Sequence, residues 1–367
     1  MDNLTIRQPD DFHVHLRQLD IIFAYTARVF KRALVMPNVR MPQKPPFRTD
    51  IPAPPVRTSK DAMWYFLHIT EQRVAQRISF DPLIAIAITD TTTPEIVEEA
   101  RYAGCFAGKI YPVGMTTNSE HGISDFNAPA FHSALSMMEA CGMICCIHAE
   151  ASESFSLDAE ADFIPTLEMI HTRHPRLKMV VEHVTSAAMI QWILAKNEYV
   201  TATVTAHHLL LDHDDVVGRR MHPHLHCLPT PKRPSDRSAI QRVVLDGNPK
   251  FFFGSDSAPH EIHTKECASA CAGVFTAPVA LPVLTEFFEE HHALERLEPF
   301  VSEFGANFYQ IPLNSGTLTL TREPWTVPLN CVSKKPRTDN SPTIVPFHAG
   351  ETLAWQIAPK TPRTLTL

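Results

Sequence analysis

Asp10-Asp11-Phe12-His13-Val14-His15-Leu16-Arg17 is the stretch on which the reading of the fold turns. It is a short apolar run that carries two imidazoles at a spacing of two. In an extended strand alternate residues share a face, so His13 and His15 point the same way and could hold one ion between them. Ile6 precedes this run, and seven more apolar runs follow, at residues 33–36, 83–88, 106–111, 143–147, 178–181, 200–204 and 251–253. Each gives way to polar residues. Helical stretches lie between most of them. Thr93-Pro94-Glu95 offers an N-cap, a proline at the first helical position and an acid in the first turn. Residues 128–141 run up to Gly142, a helix stop, and residues 186–196 carry apolar side chains at helical spacing before Asn197.

Eight alternating strand and helix units predict parallel βαβ units that close into an α/β fold, a (β/α)₈ TIM barrel over residues 1–310. Past Tyr309 the pattern changes to period two around Leu318 and Leu320. Residues 311–367 are therefore expected to form a small C-terminal β-rich extension packed on the barrel. The proline-rich residues 41–57 read as a long extended loop.

The formal charge is −7 and there is no long basic run, which argues against nucleic acid or an anionic membrane as partner. No apolar run of about 18 residues occurs, and the N-terminus does not read as a signal peptide. A cytoplasmic protein with eight reduced cysteines is expected. Cys145-Cys146 sits in an apolar run and reads as core. Cys267-x₃-Cys271 lacks a matching second half for a structural zinc site.

Barrel enzymes place their chemistry at the C-terminal ends of the strands. Here those ends carry His13 and His15, Asn38, Asp90, Lys109, His148, His183, His207 with His208, and Asp256. Four histidines and a carboxylate on separate tips form a donor set for zinc or a similar metal. Two ions, about 3.5–4 Å apart, would need a bridging group. The fourth strand would supply it most naturally, and its tip offers Lys109 and no carboxylate. A lysine carbamylated by CO₂ presents a carboxylate; a salt bridge at the barrel mouth is the plainer alternative, and spacing does not decide between them. Arg17, two residues beyond His15, offers a planar fork for a carboxylate, or a surface ion pair. Residues 112–122 have the composition of a lid, or of a plain surface loop.

The motifs D-D-F-H-V-H-L-R, V-M-P-N, G-K-I-Y-P, T-T-N-S-E-H-G, E-H-V-T-S, C-L-P, G-S-D-S-A-P-H and V-P-F-H-A-G-E-T follow in order from about residue 6 to 358. Together they resemble the single-domain, bacterial-type dihydroorotases of the amidohydrolase superfamily, which also occur as a fungal monofunctional enzyme. The resemblance implies a two-zinc barrel that interconverts dihydroorotate and N-carbamoyl-aspartate in pyrimidine synthesis. Residue by residue, it implies His13, His15 and Asp256 at the first zinc and His148 and His183 at the second. Lys109, as N6-carboxylysine, would bridge them. Arg17, Asn38 and His260 would grip the substrate carboxylate. The backbone of Leu228 and Ala272 would contact the ring, and Thr116 and Thr117 would belong to a mobile loop. A water made acidic between the ions would attack the ring amide, Asp256 taking its proton and returning it to the leaving nitrogen.

A homodimer acting on this small molecule is expected. Two departures stand out: Gln18-Leu19-Asp20 after Arg17, and His148-Ala149-Glu150 where a glycine is also common. His222-x-His224-x-His226 imitates a metal motif and is expected to be a loop. His207 and His208 are expected to have supporting roles. The rival readings are a hydantoinase or allantoinase, which would place chain before His13, and a non-catalytic relative, which would have lost ligands. A deaminase or phosphotriesterase fits the anion-gripping Arg17 and Asn38 less well.

Overall fold

The computed structural model describes residues 2–17, 20–39, 55–332 and 342–359. The strands in chain order are β1 (Asn3–Arg7), β2 (Asp10–Val14), β3 (Arg32–Val35), β4 (Asp81–Ile88), β5 (Ala107–Ile110), β6 (Ile144–Ile147), β7 (Met179–Val181), β8 (Val200–Val204), β9 (Phe251–Phe253) and β10 (Thr317–Thr321). β2 to β9 form one parallel sheet, each strand beside the next in sequence, with helices between them. This is the predicted (β/α)₈ barrel. Helix Pro94–Tyr102 is capped by Thr93, Pro129–Cys141 stops at Gly142 in the left-handed region, and Ala187–Leu194 is capped by Ser186.

The seam between β9 and β2 is closed by individual contacts just beyond the strand ends. The Asp256 amide donates to the His13 carbonyl at 2.9 Å and the His15 amide to the Ser257 carbonyl at 3.1 Å. Buried Asp11 reinforces the join, accepting from the Ser255 amide at 2.8 Å, the Ser255 hydroxyl at 2.6 Å and the His13 amide at 3.1 Å.

Inside the barrel, side chains climb from floor to mouth at the strand period of two. Leu34 and Met36 lead to Asn38, Ala107 to Lys109 and Tyr111, Ile144 and Cys146 to His148, Val180 to Glu182, and Phe252 through Gly254 to Asp256. The lower members pack into one buried cluster with Phe12 and Tyr309. The pairing of β2 with β3 shifts register between Asp11 and Val14. That irregularity, which acts as a β-bulge does, lets Phe12 join the floor while His13 and then His15 face the mouth. Gly254 is required by closeness, because a Cβ there would lie 3.0 Å from the His13 Cβ and 2.9 Å from Thr203 Cγ2. Outward-facing Val14, Val35, Ile86, Cys145 and Phe251 pack in a second cluster that includes helix residues. Cys145 and Cys146 are both buried, on opposite sides of the wall, as core residues should be.

β1 does not belong to the wall. It pairs antiparallel with β10, Ile6 facing Leu318, and β10 also pairs with Gln356–Ile357. Leu318 and Leu320 are buried on one face, as their period of two predicts. The loop expected at residues 41–57 lies outside the described residues, apart from 55–57. No helix among the described residues is long and apolar enough to cross a membrane.

Helix Phe304–Tyr309 seals the floor: Tyr309 stacks on Phe12 at 4.6 Å, and Phe12 meets Phe252 edge-on at 5.4 Å. The fit leaves no space for a methyl group, since a Cβ on Gly305 would lie 2.3 Å from Phe12 Cε2. Gly305→Ala is therefore expected to destabilise by about 1–3 kcal/mol through overpacking. Urea unfolding measures it, and an unchanged midpoint would contradict this account of the floor.

Candidate metal centre and active site

The seam gathers the first group of donors. His13 comes from β2, His15 lies just past its end, and Asp256 stands beyond β9, where φ of 42° turns it across the mouth. Asp256 Oδ1 lies 3.3 Å from His13 Nε2 and 3.1 Å from His15 Nε2. The three ligand atoms fall within 4.8 Å of one another, and all three residues are buried. Burial alone would raise the Asp256 carboxyl; His13, His15 and His183 outweigh it and hold it well below the ordinary carboxylate range. Burial brings the His15 imidazole down to about 4, so its nitrogen lone pair is free for a metal near neutrality.

The second group stands beside the first. The His183 ring is 5.1 Å from that of His13 and 4.9 Å from that of His148. His183 has φ of 43°, and the buried Nδ1 of its ring has no partner among the described residues. Two imidazoles need a further donor to hold a metal, and the unmodified Lys109 amine provides no anionic one. Lys109 is fully buried, its Nζ has no hydrogen-bond partner among the described residues, and it lies 4.9 Å from the Tyr111 ring centroid. Burial depresses its basicity, with the Glu182 carboxylate opposing. An isolated buried ammonium is unfavourable, so these surroundings favour the neutral amine. The donor set therefore fits a metal centre.

Several residues that sequence reasoning missed hold these groups in place. Glu182 Oε2 accepts from His13 Nδ1 at 2.7 Å and from the Thr203 hydroxyl at 2.6 Å, leaving His13 Nε2 to face Asp256. Such a partner sets the tautomer and aim of a ligating imidazole. Glu150 does the same for His148, at 2.9 Å from Nε2, and is itself paired with Lys232 at 3.2 Å. Tyr111, also missed, lines the cleft with a buried hydroxyl that has no partner among the described residues. The signal was available for Glu182: continuing the inward series of β7 from Val180 lands on it.

A cleft opens above the donors, lined by Arg17, Asn38, Thr116, Thr117, Leu228 and Ala272 among others. His260 stands behind that lining, with Nε2 3.2 Å from Arg17 Nη2 and 2.9 Å from the Ala272 carbonyl. Burial, helped by Arg17, brings its imidazole down to about 3. The Asn38 amide nitrogen donates to the Thr117 carbonyl at 3.0 Å, and Asn118 Nδ2 donates to the Asn38 carbonyl at 3.1 Å. Residues 112–122 thus lie over the cleft, tied to the tip of β3.

Other candidate residues do not line the cleft. Asp90 is exposed and accepts from Ser124. His224 pairs with Glu266. His208 is held by Thr205 and the Pro229 carbonyl, while both ring nitrogens of neighbouring His207 are buried without partners. With Cys227 these two make a second close group of possible ligands, but His208 Nε2 is already engaged with Pro229. The Gln18-Leu19 departure lies outside the described residues.

No family model matches the chain. It is 40% identical over 365 residues to the dihydroorotase of Azoarcus sp. strain BH72, spanning 98% of this chain and all of that protein. The Campylobacter jejuni dihydroorotase has a TM-score of 0.85 at 32% identity, over 97% of this chain and 98% of that one. The Saccharomyces cerevisiae dihydroorotase, solved with 5-fluoroorotic acid, has a TM-score of 0.84 at 29% identity, over 98% of this chain and all of that one. Likeness of this extent, joined to a buried donor set at the mouth of a (β/α)₈ barrel, makes the chain a member of the dihydroorotase family, metal-dependent hydrolases of cyclic amides.

Proposed function

We propose that the mouth holds two zinc ions, one between His13, His15 and Asp256, the other at His148 and His183, with carbamylated Lys109 between them. The observation that carries this is the Lys109 amine, which is buried, unpartnered and depressed in basicity beside those imidazoles. The neutral amine is the form that reacts with CO₂, and the carbamate supplies the missing anionic oxygens. When bound, the ions supply an acidified water and polarise the ring amide carbonyl.

The chain's own residues do the rest. Arg17 grips the substrate carboxylate through its planar fork, with Asn38 and His260 beside it. The 5-fluoroorotic acid in the yeast dihydroorotase structure supports a pyrimidine carboxylate as the ligand. The backbone of Leu228 and Ala272 orients the ring. Asp256, ionised by its imidazole neighbours, takes the proton of the attacking water and delivers it to the leaving amide nitrogen, which opens dihydroorotate to N-carbamoyl-aspartate. The reverse ring closure would serve pyrimidine synthesis. Thr116 and Thr117 close over the cleft and keep bulk water out. Residues 1–310 act as the catalytic barrel and 311–367 as an extension that β1 crosses over to join. A homodimer in the cytoplasm completes the reading.

Turnover of dihydroorotate, hydantoin and allantoin by the metal-loaded enzyme, side by side, tests the substrate; a preference for hydantoin or allantoin would refute it. The wild type is expected to carry about two zinc ions. Lys109→Ala is expected to lose at least one of them together with activity, and short carboxylic acids should restore part of both. Two fully occupied metals beside an unmodified Lys109 in a high-resolution map would end the carbamate proposal.

Asp256→Asn is expected to lower kcat by about 10²–10⁴-fold, the usual worth of a general acid–base group. Metal analysis must accompany that assay. A loss smaller than about tenfold with metals retained would place the proton shuttle elsewhere.

A further inference from the structure

We propose that Lys265 is a positioning residue for the substrate ring, its ammonium locking together the two backbone segments that carry Leu228 and Ala272. The proposal rests on the reading above that these two segments contact the ring.

Lys265 ends the short helix Ile262–Lys265 and is only 2% exposed. Its Nζ donates to the carbonyls of His226 at 2.9 Å, Cys271 at 2.8 Å and Gly273 at 2.8 Å. An ammonium has three N–H donors, so these bonds exhaust it. Among the described residues its charged neighbours include no carboxylate: the groups that face it are Cys227, Cys271 and the imidazoles of His207, His226 and His260. Burial brings its pKa down to about 8. A buried cation without a counterion is a poor choice for packing alone, since an apolar side chain of similar length would avoid the desolvation.

What the charge provides is geometry. His226 lies two residues before Leu228, and Cys271 and Gly273 flank Ala272, so one nitrogen fixes carbonyls of both segments. The Gly273 amide donates to the His226 carbonyl at 2.9 Å, and the Cys271 amide to Thr264 at 2.9 Å. The two segments are thereby joined to each other and to the helix that carries Lys265. The Ala272 carbonyl is occupied by His260 at 2.9 Å. Among the described residues nothing accepts from the amides of Leu228 or Ala272, and both residues line the cleft. The clamp therefore presents a rigid edge of backbone groups to a ring that carries amide groups of its own.

The test compares Lys265→Met, which keeps length and removes charge, with Lys265→Ala, assayed with and without n-propylammonium to replace the deleted atoms. In folded Lys265→Met with wild-type zinc content, KM for dihydroorotate is expected to rise about tenfold to a hundredfold, as for lost hydrogen bonds to a charged group. Competitive inhibition by succinate, which has carboxylates and no ring, should stay unchanged. In Lys265→Ala, n-propylammonium should lower KM again and n-propanol should not, which keeps the proposal testable if the Met variant does not fold. A KM change below about twofold in folded Lys265→Met overturns the proposal. Equal weakening of dihydroorotate and succinate overturns it as well, as does a folded Lys265→Ala that ignores the amine. Failure of the wild type to turn over dihydroorotate would instead remove the reading beneath it.

Discussion

Asp11 accepts two hydrogen bonds from Ser255 across the place where the first and last barrel strands meet, and a third from His13 on its own strand, and the catalytic mouth depends on them. His13 and His15 stand on one side of that seam and Asp256 on the other. A gap of one ångström there would separate the two imidazoles from the carboxylate. The bonds from Ser255 offset the burial of Asp11, which pushes its carboxyl up to about 7. A hydrophobic seam would have avoided that burden. It would not have fixed the spacing, because apolar contact is non-directional whereas hydrogen bonds set distance and angle.

The rest of the mouth follows from a division of labour along each strand. The lower inward residues are apolar and pack as a solid floor; the upper ones are polar and rest on it. Where a strand gives way to loop, His183 and Asp256 adopt positive φ, which is uncommon for residues other than glycine. Such backbone persists only when its surroundings overdetermine it. Those surroundings are present: the His183 amide donates to the Thr203 hydroxyl at 2.7 Å, and the Asp256 amide to the His13 carbonyl.

Much of this was legible in the sequence because barrels obey a local rule. A run of apolar residues ending in a polar one marks a strand tip, and the tips at His13, His15, Lys109, His148, His183 and Asp256 do converge. Asp90 obeys the same rule and lies outside the cleft, so the rule finds tips and cannot say which of them face inward. Contacts between distant parts of the chain left no local trace. Nothing near Ile6 announces that β1 will pair with residues beyond 316, and nothing near Lys265 announces its acceptors. The register shift in β2 was equally hidden, since Phe12, His13 and His15 show no turn residue. Glu182 was legible from the alternation of β7, which points inward at it from Val180, although His183 beside it carries the more obvious ligand.

The aromatic floor also governs traffic. Phe12, Phe252 and Tyr309 close the barrel at its lower end, leaving a packed core in place of a pore. Among the described residues, the mouth is therefore the end of the barrel open to the reacting molecule. A closed ring must leave by the route that an opened chain uses to enter, past Arg17 and under residues 112–122. The two species cannot pass each other inside, so substrate and product take turns at the same cleft.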